Sequence, residues 1–125
     1  MNENVFQNIF DKISVFFPQG WKTIIYFAGY TEGSYSMKFY IKTDKEGYID
    51  CYNLLGISKA VLIKTFMDID KILSKERNAL EKDKRWTVFT MKVDCTGNMK
   101  TEFDYEEHSK DMVAFENDWE KKYLL

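Results

Sequence analysis

The stretch "EFDYEE", residues Glu102 to Glu107, sets four carboxylates around two aromatic rings, and the chain's single histidine, His108, follows it at once. Three kinds of chemistry use such residues: carboxylates beside an imidazole can move protons, clustered carboxylates can hold a hard cation, and acids interleaved with aromatics can meet a basic partner. Proton transfer in catalysis needs a nucleophile within reach of the base. No serine or cysteine is placed for His108 to activate, so the histidine reads as a solvated residue in a charged joint and no catalytic residue is expected. A calcium site built from Glu102, Asp104, Glu106 and Glu107 is disfavoured, because a strand splays its side chains apart and no Asp/Asn-Gly loop wraps the ion. One histidine falls short of a zinc quartet, so no metal is expected. Cys51 and Cys95, far apart in sequence, read as free thiols rather than a bridge. Gly29, Gly33 and Gly47 fall at a strand end and in turns rather than ahead of a helix, which leaves no phosphate loop and no expected cofactor.

What remains is the distribution of charge. Residues 101–120 carry eight acids (Glu102, Asp104, Glu106, Glu107, Asp111, Glu116, Asp118, Glu120) against one base, Lys110, a local balance of −7. Residues 58–85 carry eight bases against five acids, a balance of +3. An acidic segment of this kind either solubilises the surface or steers encounter with a basic partner, with aromatics such as Tyr105 and Trp119 as anchors.

The elements that must position these residues are well marked. In "NVFQNIFDKISVFFP" Val5, Ile9, Ile13 and Phe16 recur at helical spacing, Asn4 and Gln7 resemble a capping box, and Pro18 closes the run. "WKTIIYFAGY" reads as a buried strand, "TEGS" as a turn, and the next run alternates Tyr35, Met37, Phe39 and Ile41 with Ser36, Lys38, Tyr40 and Lys42, a strand with one wet face. "DKEG" turns the chain into a shorter third strand, "YIDCYN". From Ser58, a fair N-cap, to about Lys82, one helical stripe collects Leu62, Phe66, Ile69, Leu73 and Leu80. "WTVFTMKVDC" and "NMKTEFDYE" form a hairpin around "TGN". If Phe103 and Tyr105 share a face there, Glu102, Asp104 and Glu106 share the other, exposed one. The last segment places Ser109 as a cap, Asp111 in the first turn, and Met112, Phe115, Trp119 and Tyr123 at helical spacing.

The order α-β-β-β-α-β-β-α predicts an α+β fold, an antiparallel sheet with helices packed on one face, leaving open whether the two hairpins share one sheet. At 125 residues, 45% hydrophobic and 30% charged, the chain reads as a single folded domain over 1–125. A net charge of −2 is far from the basic balance that phosphate binding demands, so no direct nucleic-acid partner is expected. With no basic leader and no apolar run of about 20 residues, the expectation is a soluble, cytoplasmic protein that does not span a membrane.

"YTEGSYSMKFYI", "WTVFTMKVDCTGNMKTEFDYEE" and "FENDWEKKYL" together resemble the YezG-like immunity (antitoxin) family of Gram-positive bacteria. The resemblance implies an intracellular, non-enzymatic protein that binds and silences a cognate secreted toxin, a nuclease delivered by a type VII secretion pathway with an LXG-type leader. Phe103, Asp104, Tyr105 and Trp119 match the family's motif; a contact role for Glu102, Glu106 and Glu107 follows from their charge. The expected partner surface is therefore Glu102, Asp104, Tyr105, Glu106, Glu107 and Trp119, the carboxylates standing in for phosphate in a basic cleft. A small adaptor docking some other cytoplasmic partner is the rival reading, and oligomeric state is not legible.

Overall fold

The structure, a computed structural model, describes residues 3–45 and 47–124. Its regular elements run α1 (Glu3–Ser14), β1 (Trp21–Thr31), β2 (Ser34–Thr43), β3 (Ile49–Asp50), α2 (Lys59–Asn78), β4 (Val88–Asp94), β5 (Met99–Asp104) and α3 (Met112–Tyr123), the order and α+β class that the sequence predicts. The chain divides into two compact units, one holding α1 and α2, the other holding the strands and α3.

In the helical unit, α1 buries Val5, Ile9 and Ile13, one residue per turn along a single stripe. Asn4 lies inside this helix instead of capping it, and the Gln7 amide donates to the Asp11 carboxylate at 2.8 Å. Ser58 caps α2, its hydroxyl accepting the Val61 N–H at 3.5 Å, and Leu62, Phe66, Ile69 and Leu73 are buried. The helix stops before Lys82 because Arg85 reaches back to its end. The guanidinium donates to the carbonyls of Leu80 at 3.0 Å and Asn78 at 3.2 Å, satisfying groups that a further turn would otherwise have paired. Leu80 consequently leaves the apolar stripe and is 36% exposed.

In the other unit the described strands form one antiparallel sheet in the order β3-β2-β1-β4-β5, so the two hairpins do share a sheet, joined by the pairing of β1 with β4. Ile24 to Tyr30 of the central strand β1 are buried on both faces, which is why that stretch reads as continuously apolar. Gly33, at φ +80°, makes the tight turn from β1 to β2 possible. β3 is shorter than "YIDCYN" suggests, since the chain coils into a single 3₁₀ turn at Cys51–Asn53. Glu46 of the expected "DKEG" turn lies outside the described residues.

Directly paired residues lie on the same face of a sheet, so register sorts the side chains. One face gathers Tyr26, Phe39, Phe89 and Met91, all fully buried, with the rings of Phe89 and Phe103 stacked at 5.3 Å. The other gathers Ile25, Phe27, Tyr40 and Val88 around Trp119 of α3. Tyr40, expected on a wet face, is buried there instead, its ring 5.6 Å from that of Trp119. Trp119 also meets Phe27 edge-on at 5.1 Å and donates its indole N–H to the Thr90 hydroxyl at 2.9 Å. A Cβ at Gly29 would come within 3.0 Å of the Phe27 ring and 3.3 Å of the Met112 methyl, so α3 starts this close to the sheet because the position has no side chain.

Candidate functional site

β5 ends at Asp104 because its neighbours bend the backbone there. The Thr87 N–H donates to the Asp104 carbonyl at 2.7 Å, and the Thr87 hydroxyl sits 3.1 Å from that carbonyl oxygen and 2.5 Å from the Glu106 carbonyl oxygen. The Asp104 carboxylate then accepts the Glu106 N–H at 2.7 Å, the local turn in which aspartate competes with strand pairing. Tyr105 therefore does not continue the strand on the face of Phe103. It leaves the sheet and stands 60% exposed.

The acids are likewise not a row on one wet face. Glu102 pairs with Thr90 and Asp104 with Val88, which places both on the face that α3 covers. Glu102 sits exposed at the margin of that cover, where the Tyr123 hydroxyl donates to its carboxylate and Lys122 Nζ lies 3.5 Å away. The hydroxyl first and the ammonium next hold the Glu102 carboxyl below the usual glutamate range, while burial and then Glu102 push the Tyr123 phenol up. Asp104 is half-buried, and Glu106 and Glu107 project from the joint between β5 and α3.

That joint is held at both ends. Glu107 accepts the Ser109 N–H at 2.6 Å and the Ser109 hydroxyl proton, contacts that lower its own carboxyl pKa, and the Ser109 oxygen accepts the Glu32 N–H at 3.1 Å. Ser109 is thus a tie between the joint and the β1–β2 turn, not the helix cap. Asp111 occupies the cap position of α3; its carbonyl accepts the Phe115 N–H at 2.9 Å, but its side chain makes no cap bond, the carboxylate being turned to His108.

His108 corrects the sequence reading most sharply: it is 5% exposed, not solvated. Its ring lies on that of Phe115 at 4.1 Å, Nδ1 is 3.2 Å from Asp111 Oδ1, and Nε2 is 3.5 Å from Asp104 Oδ2. Asp111 and Phe115 follow His108 by three and seven positions, the spacing of one helical face, and that was the signal available in the sequence.

Of the six residues expected at a partner surface, the fold brings Glu102, Asp104, Tyr105, Glu106 and Glu107 to the end of β5. Trp119 is elsewhere in role: at 6% exposure it anchors α3 on the sheet. Beside it a groove of about 240 Å³ runs along α3, lined by Phe103, Phe115 and Tyr123 and by the charged Glu102, Asp118 and Lys122. Chemically, the arrangement presents an exposed phenol and two exposed carboxylates, that of Glu107 bonded to Ser109, on a braced joint flanked by a partly apolar groove. Cys51 is buried and Cys95 exposed, and both are free.

A family model described as "Immunity protein YezG-like" matches residues 2–124 of the chain. A curated relative, Immunity protein YezG of Bacillus spizizenii, is 23% identical over 119 residues, an alignment covering 90% of this chain and 71% of that protein. Among the described residues no helix is long and apolar enough to cross a membrane.

Proposed function

The chain belongs to the YezG-like immunity protein family, and from that premise we propose that it binds and neutralises a cognate toxin by seating its acidic joint in a basic cleft of that toxin. The toxin is a secreted nuclease of a type VII, LXG-type system, met in the cytoplasm, and residues 1–125 act as one binding domain without catalysis of their own. A nuclease must gather positive potential to hold phosphate, so carboxylates fixed on a braced joint can occupy its cleft and exclude the substrate. The observation that carries this reading is the exposure of Tyr105, Glu106 and Glu107 on a segment tied down by Thr87, Ser109 and Glu32. Little ordering entropy then remains to be lost on binding, and an aromatic anchor stands among the charges.

The test is co-expression with the toxin encoded by the neighbouring gene. Growth should be protected by the parent chain, and protection should fall when Tyr105→Ala is combined with Glu107→Lys while the variant remains folded. Full protection by that folded variant would move the interface away from the joint. A neighbouring gene product that is harmless without this protein would overturn the immunity role itself.

A further inference from the structure

We propose that Asp104, Glu106 and His108 form a binding site for one divalent transition-metal ion of the zinc class. One donor atom from each residue lies within 4.8 Å of the donors of the other two. The chain turns at Asp104, whose carboxylate accepts the Glu106 N–H, and the three residues follow one another at alternate positions through that turn. An imidazole nitrogen with two carboxylate oxygens is a set that suits zinc, whereas calcium and magnesium prefer oxygen alone.

The second observation is His108 itself. Its Nε2 is buried and has no hydrogen-bond partner. Asp104 Oδ2 stands 3.5 Å from it without hydrogen-bonding it. Two ligands held at about 2.0–2.2 Å around a tetrahedral zinc ion are separated by about 3.3–3.6 Å, which is the spacing found. The flanking contacts prepare both donors. Asp111 faces Nδ1 at 3.2 Å, and a carboxylate can only accept, so the tautomer that donates from Nδ1 to Asp111 leaves the Nε2 lone pair for an ion. Asp104 Oδ1 is taken by the Glu106 N–H, leaving Oδ2 turned toward Nε2. A carboxylate behind a histidine and a backbone amide behind a carboxylate are how metal sites orient their ligands. Glu106, exposed, supplies the third donor and leaves a fourth position for water or for a donor from a partner.

The experiment is calorimetric titration of the untagged protein with zinc chloride, in a Cys95→Ser background that removes the exposed thiol. The proposal expects one saturable site per chain. Glu106→Gln and His108→Asn should each weaken it at least about tenfold, and Asp111→Asn, which only positions the ring, by about 10–100-fold. Glu81→Gln, on an exposed turn far along the chain, should leave it unchanged. Circular dichroism confirms folding of each variant, and Glu106→Gln carries the test if His108→Asn fails to fold, since its side chain is exposed. No saturable zinc binding by the parent, or binding untouched by Glu106→Gln, would overturn the site and leave His108 a residue that bridges two aspartates. Because no toxin enters the measurement, its outcome is independent of the immunity reading.

Discussion

Replacing Trp119 by Phe separates its two possible roles, core anchor of α3 or contact residue for a partner. The indole N–H bonds the Thr90 hydroxyl at 2.9 Å, and both residues are buried, at 6% and 5% exposure. Trp119→Phe removes the donor and strands the hydroxyl; Thr90→Val removes the acceptor and strands the N–H. A buried polar group left unmatched costs about 1–3 kcal/mol, so each single change should lower stability by about 2 kcal/mol. Together they should cost less than the sum, by about 1 kcal/mol or more, because the second change removes the group that the first had orphaned. For a chain of this size 1 kcal/mol moves the melting temperature by about 3–5 °C, so each single variant should melt about 6–10 °C lower. The assay is a double-mutant cycle by urea titration, with melts as a check. Strictly additive effects, or a Trp119→Phe variant within about 0.5 kcal/mol of the parent, would refute the placement of Trp119 in the core.

Acid sensitivity should report the tie between Glu102 and α3. The Tyr123 hydroxyl, and then Lys122, favour the charged form, so the folded carboxyl titrates below its ordinary value of 4.5. A depressed acid contributes stability that is full above that value and lost as pH falls through the folded one. Tyr123→Phe is therefore expected to flatten the decline of melting temperature below pH 4.5, and an unchanged slope would count against the tie. Thiol titration should find one fast cysteine, the exposed Cys95, in the native protein and two after denaturation. Burial pushes the Cys51 thiol up to about 12, keeping it in the unreactive protonated form at neutral pH. Rapid native modification of two thiols would contradict that burial.

The architecture was legible because long periodic segments carry their own signal. The stripe Leu62, Phe66, Ile69, Leu73 is buried as its spacing requires, and so are Met37, Phe39 and Ile41 of the alternation on β2, while Tyr35, next to the β1–β2 turn, is 38% exposed. What escaped was decided by single side chains acting across the fold. Leu80 left its helix because Arg85 caps the last carbonyls, and β5 stopped at Asp104 because Thr87, distant in sequence, bonds the carbonyls on either side of Tyr105. Tyr40 was read as wet because alternation cannot foresee a helix arriving on the second face. Glu102, Glu106 and Glu107 were found by charge alone and Asp104 by the resemblance. Their division into Glu102 clamped to α3, Asp104 aimed at His108, and Glu106 and Glu107 facing solvent depends on the bend, which no period reveals.

The most direct test of the docking claim is the association of the purified protein with its cognate toxin, with chelator present, at two ionic strengths. Parent protein and a Glu106→Lys, Glu107→Lys variant are compared, alongside melts of each alone. Both side chains are exposed, so the variant should stay within about 1 kcal/mol of the parent's stability. Its affinity should fall by several kcal/mol, and the parent's association rate should drop steeply with added salt as steering is screened. Unchanged affinity in the reversed variant, together with a parent association rate indifferent to salt, would contradict the claim that the acidic joint is the surface that meets the toxin.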